Sequence, residues 1–193
     1  MRELVYYVAV TLDGFIAGPN GEFDAFPIEG DHVDAINERF ADTIPTDLAA
    51  ALGIRQDGTR FDTVLMGWNT YAVGLPMGAT SPYRHLQQVV FSASNEAEGE
   101  NLEVTSEDPV DVVRRLKAQP GASIWLCGGG ALAATLAGEI DRLVLKRYPL
   151  LFGAGIPLFG ARPYAPEQFD EVSTTAFETG VVFSEYVRRP AIG

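Results

Sequence analysis

The chain has 193 residues, 47% of them hydrophobic, with a formal net charge of −12 and a pI near 4.5. That is enough apolar chain to bury a core as one domain over 1–193, and the acidic balance, with no basic stripe, excludes a nucleic-acid partner. The longest apolar run, 148–161, is broken by Gly and Pro and falls short of the ~20 residues of a membrane span, so a soluble protein without a membrane partner is expected.

Residues 4–10 form a β-rich run without clean alternation, which predicts a strand buried on both faces. The turn dipeptides Asp13-Gly14 and Asn20-Gly21 make 11–21 a structured loop leaving that strand's carboxyl end, where open α/β sheets bind ligands. Val33, Ile36 and Phe40 share a helical face within 31–42, with Asp31 placed as its N-cap or in its first turn, and 45–52 reads as a second short helix. A buried strand over 62–67 ends in Gly67, and Trp68-Asn69-Thr70-Tyr71 opens a short helix.

After a loop at 74–82 come strands at 87–91, ending in Ser92-Ala93-Ser94, and at 102–105. Asp108-Pro109 starts a helix to Lys117 with Val112, Val113 and Leu116 inward. Strand 123–127 then meets Gly128-Gly129-Gly130 and a helix reaching 137 or 138. Without Cβ atoms such a turn admits a phosphate to the backbone, or simply packs strand against helix. Strand 142–148, an apolar loop at 149–159 and a hairpin of 169–177 with 181–188 complete an α/β chain of about eight strands.

The single cysteine, Cys127, excludes an internal disulfide and fits a reducing compartment. With no signal-peptide pattern at Met1–Leu4, a cytoplasmic location is expected. His32 and His85 stand apart from other ligand types, so no metal is expected and no serine triad can be assembled. Gly128-x-Gly130-x-x-Ala133 fits a loose dinucleotide fingerprint, but the following strand ends Lys146-Arg147-Tyr148 where a ribose-binding acid would stand. Lys146 and Arg147 either face an anionic substrate or are solvated edge charges, whereas Trp125 and Cys127 read as core or near-core.

Five stretches in order carry a resemblance: Val8 to Ala17, Val64-Leu65-Met66-Gly67-x-x-Thr70-Tyr71, Val90-Phe91-Ser92, Gly128-Gly129-Gly130, and Leu151 to Phe159. Together they resemble the dihydrofolate reductase-like superfamily, in the branch of the bacterial riboflavin-biosynthesis reductase domain (RibD C-terminal type) and its stand-alone relatives. The resemblance implies a three-layer α/β fold: a mostly parallel sheet of about eight strands, helices on both faces and a C-terminal antiparallel hairpin. It implies an NADPH-dependent oxidoreductase acting on a small heterocyclic, pyrimidine or pteridine-like, or ribosyl substrate, and a homodimer. Similarity to 5-amino-6-(5-phosphoribosylamino)uracil reductase is expected, with a dihydrofolate or pteridine reductase, or a non-catalytic dinucleotide-binding protein, as alternatives.

Cofactor contacts implied by the resemblance are Ala9, Ile16, Asn20, Gly67, Trp68, Asn69, Thr70, Ser92, Ala93, Gly128, Gly129, Gly130, Ala131 and Leu132. Trp68 stands where the family usually has an arginine for the 2′-phosphate, which leaves NADH open beside NADPH. True dihydrofolate reductases hold a carboxylate against the substrate ring on the helix after the first loop. The counterpart here is Asp31, the expected catalytic acid, with Glu29 and Asp34 as rivals. Buried beside an apolar ring, that carboxyl would have a raised pKa.

Overall fold

The computed structural model describes residues 1–190. Its strands are β1 (Leu4–Val10), β2 (Phe15–Ala17), β3 (Phe61–Gly67), β4 (Gln87–Phe91), β5 (Leu102–Thr105), β6 (Ser123–Gly128), β7 (Arg142–Arg147), β8 (Ile156–Pro157), β9 (Phe169–Ala176) and β10 (Val182–Arg188). The helices are α1 (Asp31–Arg39), α2 (Thr46–Ala51), α3 (Trp68–Ala72), α4 (Pro109–Lys117) and α5 (Gly130–Thr135).

Eight strands form one sheet in the order β5-β4-β3-β6-β1-β7-β10-β9. The pairs from β5 through to β7 are parallel, and β10 pairs antiparallel with both β7 and β9. This is the α/β architecture expected, with helices on both faces and the hairpin at the end. A central parallel strand is covered twice, so it needs apolar residues on both faces. Accordingly β1 sends Val5 and Tyr7 into one core and Leu4, Tyr6 and Val8 into the other. Phe40, Phe61, Tyr71 and Trp125 fill the first layer, with α1 lying on it through Ala35 and Ile36.

On the opposite face α4 buries Val112, Val113 and Leu116, each worth about 1.5–3 kcal/mol in apolar burial. Asp108 starts this helix by accepting the N–H groups of Val110 and Asp111, with Pro109 in the first turn. Leu132 and Ala133 of α5, with Leu136 just after it, complete the layer.

Two expectations change. The loops at 11–21 and 149–159 each contain a short strand, β2 and β8, which pair with each other. The helix expected over 31–42 stops at Arg39, and 41–43 tightens into a 3₁₀ turn. Asp42 is buried there, its carboxylate accepting the N–H groups of Gly58, Arg60 and Phe61. Among the described residues no helix is long and apolar enough to cross a membrane, and no three His, Cys, Asp or Glu side chains are grouped to hold a metal ion.

Candidate active site

Because β1, β3 and β6 are parallel neighbours, their carboxyl ends open on the same edge of the sheet, where a cleft of about 880 Å³ lies. Its walls come from the first loop, the β3–α3 turn and the β6–α5 glycine turn. The first contributes Ile16 and Asn20, the second Gly67, Trp68, Asn69 and Thr70, and the third Gly128, Gly129, Gly130, Ala131 and Leu132.

Each turn has a local cause. Gly67 closes β3 in extended conformation and α3 starts at Trp68 without an intervening loop. Across the cleft Gly128 has φ +142, a region favouring glycine, and the Gly128–Gly129 peptide is cis. A Cβ built on Gly128 or Gly129 would meet only the Thr70 hydroxyl, at 3.9 and 3.6 Å. Side chains at these two positions would therefore fill the space between the turns. Gly130 differs: its Cβ would overlap the Pro157 carbonyl oxygen, so this glycine lets α5 pack against β8.

The loop 11–18 is held from outside. Asp13 accepts the N–H groups of Phe152 and Gly153 at 3.1 and 2.7 Å, and the Thr11 hydroxyl donates to it, which lowers its pKa. Farther along, Glu22 accepts from the Asn20 backbone and side-chain amides at 2.8 and 2.7 Å, setting Asn20 at the cleft.

Other expected residues lie elsewhere. Ala9 is half-buried in β1 opposite Lys146, beside the cleft and outside its lining. Ser92 and Ala93 line a separate depression of about 440 Å³ beyond β4, and the Ser92 hydroxyl accepts the Asn95 N–H there at 2.8 Å. Asp31 does not line the cleft. Its carboxylate accepts the Glu178 N–H at 2.8 Å and the Thr179 hydroxyl at 3.3 Å, joining α1 to the β9–β10 turn. The Glu178 N–H chiefly lowers its pKa, opposite to the direction expected of an acid against an apolar ring. Glu29 and Asp34 are exposed and also lie outside the cleft lining.

Cleft residues missed from the sequence include Tyr83, Cys127 and Phe23. Cys127 follows Trp125 by two in β6, so alternation puts both on one sheet face, but only the adjoining turn opens Cys127 to the cleft. Burial pushes its thiol up to about 12, so it stays neutral and unreactive at physiological pH. Tyr83 is likewise raised by burial. Lys146 lies next to Cys127, with Nζ 4.2 Å from the Tyr7 ring centroid, and burial lowers its pKa to about 8. The Tyr7 ring stacks on Phe40 at 4.4 Å, and its buried hydroxyl has no hydrogen-bond partner. Nearby Thr43 donates its own proton to the Phe40 carbonyl.

Residues 2–183 match the model of the RibD C-terminal domain. The chain belongs to that family. This RibD C-terminal domain is 30% identical over 164 residues to the uncharacterized protein YwjB of Bacillus subtilis (strain 168), covering 82% of this chain and 83% of YwjB. In fold it resembles a Shewanella sp. PV-4 protein provisionally assigned to riboflavin biosynthesis (TM-score 0.69, 23% identity, 98% and 99% of the two chains). It also resembles Enterococcus faecalis dihydrofolate reductase, solved with NADP(H) (TM-score 0.61, 17% identity, 97% and 96%). The RibD C-terminal domain thus has the dihydrofolate reductase-like fold, with the cleft of this chain at the carboxyl edge of its sheet.

Proposed function

We propose that this RibD C-terminal domain is a reductase that takes hydride from a nicotinamide dinucleotide and passes it to a C=N or C=O bond of a small heterocyclic or ribosyl-like substrate. The observation that carries this reading is the pair of facing turns, Gly67–Thr70 and Gly128–Leu132, separated by space that side chains at Gly128 and Gly129 would fill. A dinucleotide fits there: the bare backbone of the glycine turn and the Asn69 and Thr70 side chains offer donors to a pyrophosphate, and Ile16, Leu132 and Ile156 offer apolar contact. When bound, the cofactor supplies the hydride, and the protein supplies position and a dry wall.

No carboxylate or guanidinium lines this cleft among the described residues, so phosphate recognition falls to neutral donors. Trp68 in particular offers a ring face and one N–H, which leaves NADPH and NADH more evenly matched than an arginine would. The family match and the likeness to dihydrofolate reductase support the reading. The expected homodimer is part of it: Leu12 and Leu151, exposed on adjoining loops, provide apolar surface, and sedimentation at graded concentrations measures the association.

Calorimetric titration with NADPH and NADH, followed by oxidation of the bound reduced dinucleotide with pyrimidine, pteridine and carbonyl compounds, tests the function. Binding of at least one dinucleotide and substrate-dependent oxidation are expected. Absence of binding by both dinucleotides sinks the reading; binding without turnover of any compound leaves a dinucleotide-binding protein in its place.

A further inference from the structure

Lys146 has an arrangement that packing alone does not explain. It lies near the carboxyl end of β7, paired across the backbone with Ala9 of β1 and Phe183 of β10. Its ammonium stands over the Tyr7 ring and beside Cys127, which lines the cleft. Among the described residues, every other lysine or arginine except exposed Arg147 has a carboxylate within 4.0 Å. Lys146 is thus a half-buried cation with an aromatic face beneath it and no carboxylate counter-ion.

We propose that Lys146 binds the reacting end of the substrate: its ammonium holds the oxygen of a small carbonyl compound at the inner end of the cleft and protonates that oxygen as hydride reaches the carbonyl carbon. The inference rests on the reductase reading and names its substrate class. An ammonium has three donors and no acceptor, so it pairs with an oxygen lone pair or an anion. The paired N–H donors of aminopyrimidine and aminopteridine rings call for a carboxylate. The cleft lining has none, and Asp31 is committed to the β9–β10 turn. Lys146 is not itself in the cleft lining and stands beside Cys127, which is; the unpaired charge nearest this end of the cleft therefore has the sign that suits an acceptor.

The step balances. The nicotinamide C4–H bond breaks, and its electron pair forms the new C–H bond at the carbonyl carbon. The carbonyl π pair moves onto oxygen, which takes a proton from the Lys146 ammonium. The neutral amine left behind regains a proton from water. Tyr7 from β1 and Cys127 from β6 stand beside the ammonium, each with its own pKa raised by burial; for the lysine, burial outweighs the opposing effect of Cys127. With burial lowering it to about 8, the ammonium is present at neutral pH and is a better proton donor than an exposed lysine.

The test uses the whole chain, Lys146→Met and Lys146→Arg, with cooperative urea unfolding and wild-type circular dichroism establishing that each variant folds. Oxamate, a carboxylate that hydride does not reduce, probes binding by calorimetry with and without dinucleotide. Pyruvate, glyceraldehyde and ribose 5-phosphate, set against dihydrobiopterin, probe turnover. We expect K146M to bind NADPH or NADH as the wild type does, to bind oxamate at least about tenfold more weakly, and to lose carbonyl turnover by about 10²-fold. Lys146→Arg should retain oxamate binding. The wild-type rate should fall as pH rises through about 8, and K146M should lack that limb. Wild-type oxamate binding and turnover in K146M overturn the proposal, as does reduction of dihydrobiopterin alone. Should neither dinucleotide bind while oxamate binding still requires Lys146, the reductase reading fails and the receptor role stands. Absence of oxamate binding to the wild type removes that role whatever the dinucleotide does.

Discussion

The chain's two lysines stand at opposite edges of the sheet in opposite electrostatic states. Lys117, at the end of α4, is 7% exposed, and its ammonium reaches the Asp141 carboxylate and the Glu139 carbonyl oxygen, each at 2.6 Å. Asp141 in turn accepts the Leu4 N–H at 2.7 Å, so this ion pair joins α4 to the starts of β1 and β7. The same edge holds Arg2 against Asp62, and Arg142 between Glu3 and Glu185 at 2.9 and 3.0 Å. Lys146, at the other edge, meets an aromatic face and a neutral thiol. A buried charge with a full set of partners has no capacity left for a ligand, whereas one without them costs stability and remains available. The amino ends of the strands are therefore where charge holds the sheet together, and near the carboxyl end of β7 one charge is left without a counter-ion.

Substitutions should separate the two edges. Gly129→Val places a side chain in the space facing Thr70 and should weaken dinucleotide binding by about 10²-fold, about 2.7 kcal/mol, as read by calorimetry. Unchanged affinity would move the dinucleotide out of this turn. Lys117→Met leaves Asp141 unpaired; discounted for the 35% exposure of that carboxylate, the expected loss is about 2 kcal/mol in urea unfolding, with ligand affinity intact. A loss as large in K146M would erase the distinction between the lysines.

Lys146 makes a finer pH prediction. Its pKa falls from 10.5 to about 8 on folding, so between these values the unfolded chain binds more protons than the folded one, and stability contributed by this group rises with pH. Below pH 8 the cost is fully present. K146M, which lacks it, should gain most over the wild type there, and the gap should close as pH approaches 10.5 in urea midpoints taken across the range. A gap independent of pH would mean that the lysine titrates alike in both states.

The smallest effect is expected at Asp31. Its lowered pKa means that its contribution is complete above the unfolded carboxylate value and is lost as pH falls through the folded one. Asp31→Asn should therefore narrow the stability difference between neutral and acid pH slightly, while leaving turnover within about twofold. A larger fall in turnover would restore Asp31 as the proton donor.

Much of this was legible in the chain. Parallel strands covered on both faces read as continuous apolar runs, and the turns at Gly67 and Gly128 mark where two of them end. Partners remote in sequence were not legible. The role of Asp31 depends on Thr179, and that of Asp13 on Gly153, contacts that local pattern does not predict. The ladder of β2 and β8 is too short to leave a periodicity. For Lys146 the sequence offered an anionic substrate or a solvated edge, and only the assembled sheet shows it half-buried over Tyr7 of the next strand. Ser92 and Ala93 sit at a strand end as expected, but in the neighbouring depression.

The clasp between β2 and β8 has a thermodynamic consequence. Phe15 pairs with Pro157, and the Asp13 carboxylate reaches Gly153 across 140 residues of sequence, so one wall of the cleft exists only when distant parts of the chain have come together. The binding site is then a property of the whole cooperative unit, and a bound dinucleotide is linked to global unfolding rather than to the ordering of a local loop. At a ligand concentration a hundred times its dissociation constant, that linkage amounts to about 2.7 kcal/mol. A shift in melting temperature can therefore report cofactor choice before any substrate is known.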